Sequence, residues 1–189
     1  NHLIKLVYTN GVNIIAIFTP EHGFKGIAGA GEKVEDGIEP LSGAPIYSLY
    51  GNTKKPTSNM MEGMDILIFD MQDIGVRYYT YLSTLTYIME TAAENNIPLW
   101  ILDRVNPLGR EVQGPVLDMQ FASFVGMHPI PVRHGMTLGE LAQMINGEGW
   151  LTNGFIPDLS VIQYKGKIDE KVRARAFNPP PSPNMPNLE

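Results

Sequence analysis

Short apolar runs that each lead to a carboxylate within three residues, separated by stretches of helical periodicity, constrain this chain more than any other feature. Residues 13–18 (NIIAIF), 65–69 (DILIF) and 99–102 (LWIL) are too short for helices, rich in β-branched or aromatic side chains and bounded by turn formers. They read as buried strands. Residues 78–95 place Tyr78, Leu82, Leu85, Ile88, Met89 and Ala92 at spacings of three and four, with Asn95-Asn96 ahead of Pro98 as a stop, which predicts an amphipathic helix. Residues 137–146 open with Thr137 and carry Glu140 three positions on, the pattern of a capping box, and Gly147 closes them. Residues 45–50 and 159–164 read as further short strands, 57–64 as a brief capped helix ending at Gly63, and 2–8 as a helix end. Strands alternating with helices pair in parallel through crossover connections. The expected fold is therefore α/β, a Rossmann-like three-layer sandwich with a mostly parallel sheet in which 13–18, 65–69 and 99–102 are neighbours.

With 189 residues and 43% hydrophobic content the chain can bury one real core, which we assign to residues 1–178. Residues 179–189 are too rich in proline for regular structure and read as a stiff linker. The chain opens inside a helix without an initiator methionine, so its first domain reads as cut at the N-terminus. A net charge of −6 and the absence of any basic run argue against nucleic acid and against an anionic membrane surface. No apolar run reaches membrane-spanning length. Cysteine is absent, which removes thiolate nucleophiles and thiolate metal ligands. The glycine-rich run at 26–31 (GIAGAG) does not follow the order of a dinucleotide-binding loop and reads as a mobile loop.

The chemistry collects at the ends of the strands. Residues 13–18 lead to Glu21 and His22, 65–69 to Asp70 and Asp73, and 99–102 to Asp103, Arg104 and Asn106. Ligands of open α/β sheets bind at the carboxyl edge, so three neighbouring strands would gather these groups on one rim. His134, between Arg133 and Gly135 just before a helix, could meet an anionic ligand there. His22, Asp70 and Asp73 would hold a metal ion only if folding converged them, which keeps a metal-dependent hydrolase as one alternative. A non-catalytic binding module is the other. No Gly-x-Ser-x-Gly elbow is present, and His2 and His128 have no informative context.

Several ordered motifs together resemble one family. They are Thr19-Pro20-Glu21-His22-Gly23-Phe24, Pro45-Ile46-Tyr47-Ser48-Leu49-Tyr50-Gly51, Phe69-Asp70-Met71-Gln72-Asp73-Ile74-Gly75-Val76-Arg77, Leu102-Asp103-Arg104-Val105-Asn106-Pro107, Arg133-His134-Gly135-Met136-Thr137 and Pro181-Ser182-Pro183-Asn184-Met185-Pro186. The chain resembles the NamZ-type exo-β-N-acetylmuramidases through almost its whole length. The resemblance implies a secreted or periplasmic bacterial glycoside hydrolase that works without a cofactor. It would release N-acetylmuramic acid from the non-reducing ends of peptidoglycan-derived muropeptides or disaccharides. It also implies a Rossmann-like catalytic domain followed by a smaller C-terminal domain, towards which residues 179–189 would lead. Glu21 falls on the glutamate of the family's Pro-Glu-His-Gly motif, regarded as catalytic, and Glu90 on a Met-Glu position of the long helix. Val105 stands where the family usually has proline, and Gln113 where many relatives have glutamate, a position read as part of a binding loop.

Glycoside hydrolysis needs a carboxylic acid to protonate the departing oxygen and a second group to attack the anomeric carbon or activate water. Glu21 suits the first role, and Asp70, Asp73 or Glu90 the second. The 2-acetamido oxygen of the substrate could replace that second group. Arg77, Arg104 and Arg133 are candidates for pairing with the lactyl carboxylate of muramic acid, because guanidinium forks match a carboxylate bidentately. Tyr79, with Tyr78 and Tyr81, could stack on sugar faces, and His22, Asp103, Asn106 and His134 complete the expected binding set.

Overall fold

The structure, a computed structural model, describes residues 3–24, 35–51 and 53–165. The glycine-rich run at 26–31 and the proline-rich segment at 179–189 lie outside the described residues. In chain order the elements are α1 (Leu3–Thr9), β1 (Ile17–Thr19), β2 (Gly37–Ile38), β3 (Pro45–Ser48), β4 (Leu67–Phe69), α2 (Tyr81–Asn95), β5 (Leu99–Leu102), β6 (Gln113–Val116), β7 (Pro131–Arg133), α3 (Leu138–Gly147) and β8 (Leu159–Ile162). They form two compact units, divided between Met64 and Asp65. No helix among the described residues is long and apolar enough to cross a membrane.

In the first unit β3 is the central strand. It pairs in parallel with β1, Ile17 facing Ile46 and Thr19 facing Ser48, and antiparallel with β2. The structure thus corrects two expectations about residues 13–18. Only Ile17–Thr19 is extended in a ladder, and its partner is β3, not β4. Periodicity identifies a strand but carries no information about which strand it will face.

The second unit has the α/β, parallel character expected of the chain. β4, β5 and β8 lie side by side in that order, all parallel, with Phe69 facing Ile101 and Ile101 facing Val161. α2 connects β4 to β5, and α3 lies between β5 and β8 in sequence. Side chains alternate along the strands. Leu67, Phe69, Leu99 and Ile101 are buried, whereas Ile68 and Trp100 face out. Leu85 and Met89 of α2 and Leu141 and Ile145 of α3 are fully enclosed as well, and each such aliphatic side chain contributes about 1.5–3 kcal/mol. Gly139 sets the contact of α3 with β8. A methyl group there would lie 2.6 Å from Val161 Cγ1 and 2.7 Å from Asp103 Cγ.

The ends of the helices follow sequence chemistry closely. The α3 capping box forms as expected, with Thr137 Oγ1 accepting from the Glu140 amide at 3.2 Å and Glu140 accepting from the Thr137 amide at 2.9 Å. α2 ends at Asn96, which adopts the left-handed conformation of a helix terminus (φ 53°). Its start is later than expected: Tyr78, Tyr79 and Thr80 are turn residues ahead of the helix. The brief helix near 57–64 is a single 3-10 stretch, Ser58–Met61, without a side-chain cap from Thr57. The hairpin of β6 and β7 went unread in the sequence, because Gly114 and Pro115 inside β6 are turn signals and all four of its residues are exposed.

Thr137 also donates to Asp103 Oδ2 at 2.7 Å, so it joins the cap of α3 to the end of β5. Thr137→Ala is expected to lower stability by about 1–2 kcal/mol, the scale of a lost cap. Thr137→Ser should restore most of it. Equal urea midpoints for the alanine variant and the unmutated chain would refute the assignment.

Candidate active site

Glu21 sits just past the C-terminal end of β1, in a turn closed by a hydrogen bond from the Gly23 amide to the Pro20 carbonyl at 3.1 Å. The turn forces His22 into the left-handed region at φ 74°, rare for a residue with a side chain, and the histidine is buried. The partner of Glu21 follows from the register. Thr19 faces Ser48, so two residues further along the chain places Tyr50 opposite Glu21. The Tyr50 phenol hydrogen-bonds the Glu21 carboxylate, and its pKa is raised by burial, by that bond and by the charge of Glu21. Beside the turn lies a cleft of about 260 Å³ whose lining includes Thr19, His22, Phe24, Glu35, Ile38 and Ile46. Glu21 is not among its lining residues, and the buried Thr19 hydroxyl has no hydrogen-bond partner among the described residues.

In the second unit the parallel strands deliver their following residues to one edge. Asp70 follows β4 and Arg104 follows β5 by two residues. Arg104 Nε donates to Asp70 Oδ1 at 2.9 Å, and its Nη2 donates to the same oxygen. Both residues stay partly open to solvent.

Asp73 turns inward. Its Oδ2 accepts from the Gly75 amide at 2.8 Å and lies 3.3 Å from His134 Nε2. The two side chains are almost fully enclosed, and neither Asp73 Oδ1 nor His134 Nε2 has an aligned hydrogen-bond partner among the described residues. His134 Nδ1 accepts from the Met136 amide at 3.3 Å, so a neutral ring carries its proton on Nε2, towards Asp73. Gly75 permits this packing. Its φ is +89°, and a side chain there would collide with the Asn106 amide.

Several residues expected to bind substrate or to act in catalysis also make contacts that hold the fold. Asp103 accepts from Thr137 Oγ1 and, at 2.9 Å, from the Gly139 amide. The carboxylate at the start of α3 is the protein's own, and no external anion is needed there. Asn106 is buried, bonded through Nδ2 to the Met136 carbonyl and through Oδ1 to the Leu108 amide, both at 2.9 Å. Arg77 Nη1 donates to the carbonyls of Pro115 at 2.9 Å and Ile130 at 2.6 Å. Arg133 binds Glu111 at 2.9 Å and the Leu108 carbonyl. Glu90, on α2, is buried and accepts from the amide and hydroxyl of Thr152 at 3.2 and 2.7 Å. Tyr79 packs its ring against Tyr81, centroids 4.6 Å apart.

The structure therefore pairs Asp70 with Arg104 and Asp73 with His134 in the second unit, and Glu21 with Tyr50 in the first. Among the described residues no group of three or more His, Asp and Glu side chains is arranged to hold a metal ion. Sequence reasoning missed Tyr50, although its place two residues past β3 was the available signal. It also missed His128, enclosed among Thr86, Glu90 and Trp150.

Comparison with known proteins gives a consistent result. Residues 1–189 match the family model described as the N-terminal part of the exo-β-N-acetylmuramidase NamZ. The chain is 47% identical over 191 residues to the peptidoglycan β-N-acetylmuramidase NamZ of Bacillus subtilis (strain 168), across 98% of this chain and 45% of that protein. Two crystal structures of DUF1343 family proteins from Bacteroides fragilis NCTC 9343 superpose well. One has a TM-score of 0.83 at 38% identity, over 98% of this chain and 47% of that one. The other has a TM-score of 0.79 at 43% identity, over 100% and 49%. The chain thus spans a little under half the length of these relatives.

Proposed function

The chain belongs to the family of the N-terminal part of the exo-β-N-acetylmuramidase NamZ, and we propose that it carries the catalytic part of a peptidoglycan β-N-acetylmuramidase. The observation that carries the proposal is its 47% identity, along 98% of its length, to a protein of that activity. The substrate would be a peptidoglycan fragment ending in N-acetylmuramic acid, and the enzyme would act outside the cytoplasm, where that polymer lies.

In this reading Glu21 gives its proton to the glycosidic oxygen as that bond breaks, and water takes its place on the anomeric carbon, either directly or after a nucleophile such as the substrate's own 2-acetamido oxygen has bonded there. Its setting supports the role. It stands in a tight turn at a strand end, half buried, and Tyr50 fixes its orientation. The other candidate carboxylates are engaged by protein groups: Asp70 by Arg104, Asp73 by Gly75 and His134, and Glu90 by Thr152. Asp73 and Glu90 are buried.

A chromogenic β-N-acetylmuramic acid glycoside tests the reading. It should be turned over by this chain, or by the Bacillus subtilis relative with this chain grafted in place of its matching part. Release of chromophore by neither would refute it.

A further inference from the structure

We propose that the cleft beside the Glu21 turn is the pocket for the N-acetyl arm of the substrate sugar, bounded by Thr19, Gly37, Ile38 and Ile46. The inference rests on the muramidase reading and names the part of the sugar that this cleft takes. Every described residue that lines the cleft lies between Thr19 and Ile46, so acid and pocket both belong to the first unit.

The connectivity of the sugar brings the two together. Its acetamido group stands on the carbon next to the anomeric one, whereas the lactyl ether stands one carbon further along the ring. A sugar whose glycosidic oxygen meets Glu21 therefore holds its acetamido group close to the same turn. Glu21 is followed directly by His22, Gly23 and Phe24, and all three line the cleft. The cleft measures about 260 Å³. That is below the roughly 300–1,000 Å³ usual for small-molecule sites, and it suits part of one sugar better than a length of glycan.

The lining has the chemistry of an acetamide and not of an acid. Phe24, Ile38 and Ile46 offer apolar surface to a methyl group. Among the described residues no lysine or arginine lines the cleft, and the Glu35 carboxylate would repel a second one such as the lactyl group.

Two features of the first unit are otherwise unexplained. Thr19 is buried and its hydroxyl has no hydrogen-bond partner among the described residues, a state that costs stability until a partner arrives. An amide N–H or carbonyl is such a partner. Gly37 of β2 lies directly opposite Ile46, so a side chain there would share the face of Ile46. A Cβ added to Gly37 would meet nothing within 4 Å, and no left-handed φ demands a glycine there. A glycine weakens a strand, and one without such a reason marks a place where a ligand comes close.

The test compares kcat/KM for two chromogenic muramic acid glycosides, one N-acetyl and one N-propionyl, on the active protein, this chain or the graft described above. Both carry the amide, so they differ by one methylene whichever group attacks the anomeric carbon. Gly37→Val narrows the cleft with a side chain suited to a strand. The ratio of N-acetyl to N-propionyl rates should then rise roughly tenfold, the lower end for one methylene in an apolar pocket. Ile38→Ala widens the cleft from a position 71% exposed, and the ratio should fall below that of the unmutated protein. Thr19→Val should raise KM for the N-acetyl glycoside several-fold without lowering the urea midpoint, because the hydroxyl it removes holds nothing in the free protein. Well-folded Gly37→Val and Ile38→Ala variants that both keep the unmutated ratio would overturn the assignment while leaving the muramidase reading intact. If the valine variant does not fold, Gly37→Ala and Ile38→Ala decide by the same ratio. No turnover of either glycoside by the unmutated protein would overturn the reading itself, and the inference with it.

Discussion

Glu21→Gln is expected to leave folding nearly intact and to lower turnover of a muramic acid glycoside by at least about a hundredfold, the lower end for a positioned acid. The substitution separates two roles. Glutamine has the size of glutamate and a carbonyl oxygen that can still accept from the Tyr50 phenol, so the turn from Pro20 to Gly23 keeps its contacts. What it lacks is a proton to give. The loss should fall on kcat more than on KM, and it should grow with the basicity of the leaving group. A nitrophenolate departs with little help, whereas a sugar alkoxide needs protonation, so the variant should lose more activity on a disaccharide than on the chromogenic glycoside. Tyr50→Phe should cost less than Glu21→Gln, because it loosens the acid without removing it. Turnover of the glutamine variant within a few-fold of the unmutated enzyme on both substrates would remove Glu21 from the mechanism.

Much of the local structure was readable because its causes are local. The α3 cap rests on two residues three apart, Thr137 and Glu140, and both hydrogen bonds form as the spacing requires. The stop of α2 needs a residue that tolerates left-handed geometry, and Asn96 is one. The order of β4, α2 and β5 follows from hydrophobic period and length alone. The partner of β1 was not readable, because a three-residue strand has the same pattern whichever neighbour it meets. β6 was not readable either, since nothing in Gln113-Gly114-Pro115-Val116 is buried and its pairing depends on β7, fifteen residues further on.

The candidate site divides along the same line. That carboxylates and arginines follow the strands was visible in the sequence. What each does depends on groups far along the chain. Asp103 has the chemistry of a ligand-binding aspartate until α3 brings Thr137 and Gly139 onto it. Arg77 and Arg133 read alike with Arg104 in the sequence, and only the fold shows Arg77 Nη1 on the carbonyls of Pro115 and Ile130 and Arg133 on that of Leu108. Glu90 lies on the buried side of α2 and could not be told from a surface glutamate before Thr152 closed over it. The contact of Tyr50 with Glu21 was likewise beyond the reach of a reading of single segments.

His128 carries the second large effect, on stability. Its ring is almost fully buried and stacks on Trp150, with centroids 5.5 Å apart and planes within 19°. Its Nε2 lies 2.8 Å from Thr86 Oγ1, and that hydroxyl gives its own proton to the Leu82 carbonyl at 3.0 Å. The threonine oxygen is then the acceptor and the neutral ring the donor. Burial lowers the pKa of His128 from 6.5 to about 4, with the charge of Glu90 opposing the shift. Between those two values the unfolded chain binds the proton and the folded chain does not, so stability rises with pH across that window. It is lost as pH falls from 6.5 towards about 4, and below that the penalty is constant. A shift of this size corresponds to about 3 kcal/mol. Carboxylates also titrate in this range, so the comparison must be with His128→Gln, which keeps a donor but cannot take up a proton. At pH 7 the variant should be the less stable of the two by urea unfolding, because it loses the fit against Trp150. As pH is lowered from 7 to 4, the unmutated chain should lose about 3 kcal/mol relative to the variant, and the order of stability can reverse. Unfolding free energies that stay parallel through that range would show that His128 does not remain neutral in the folded protein.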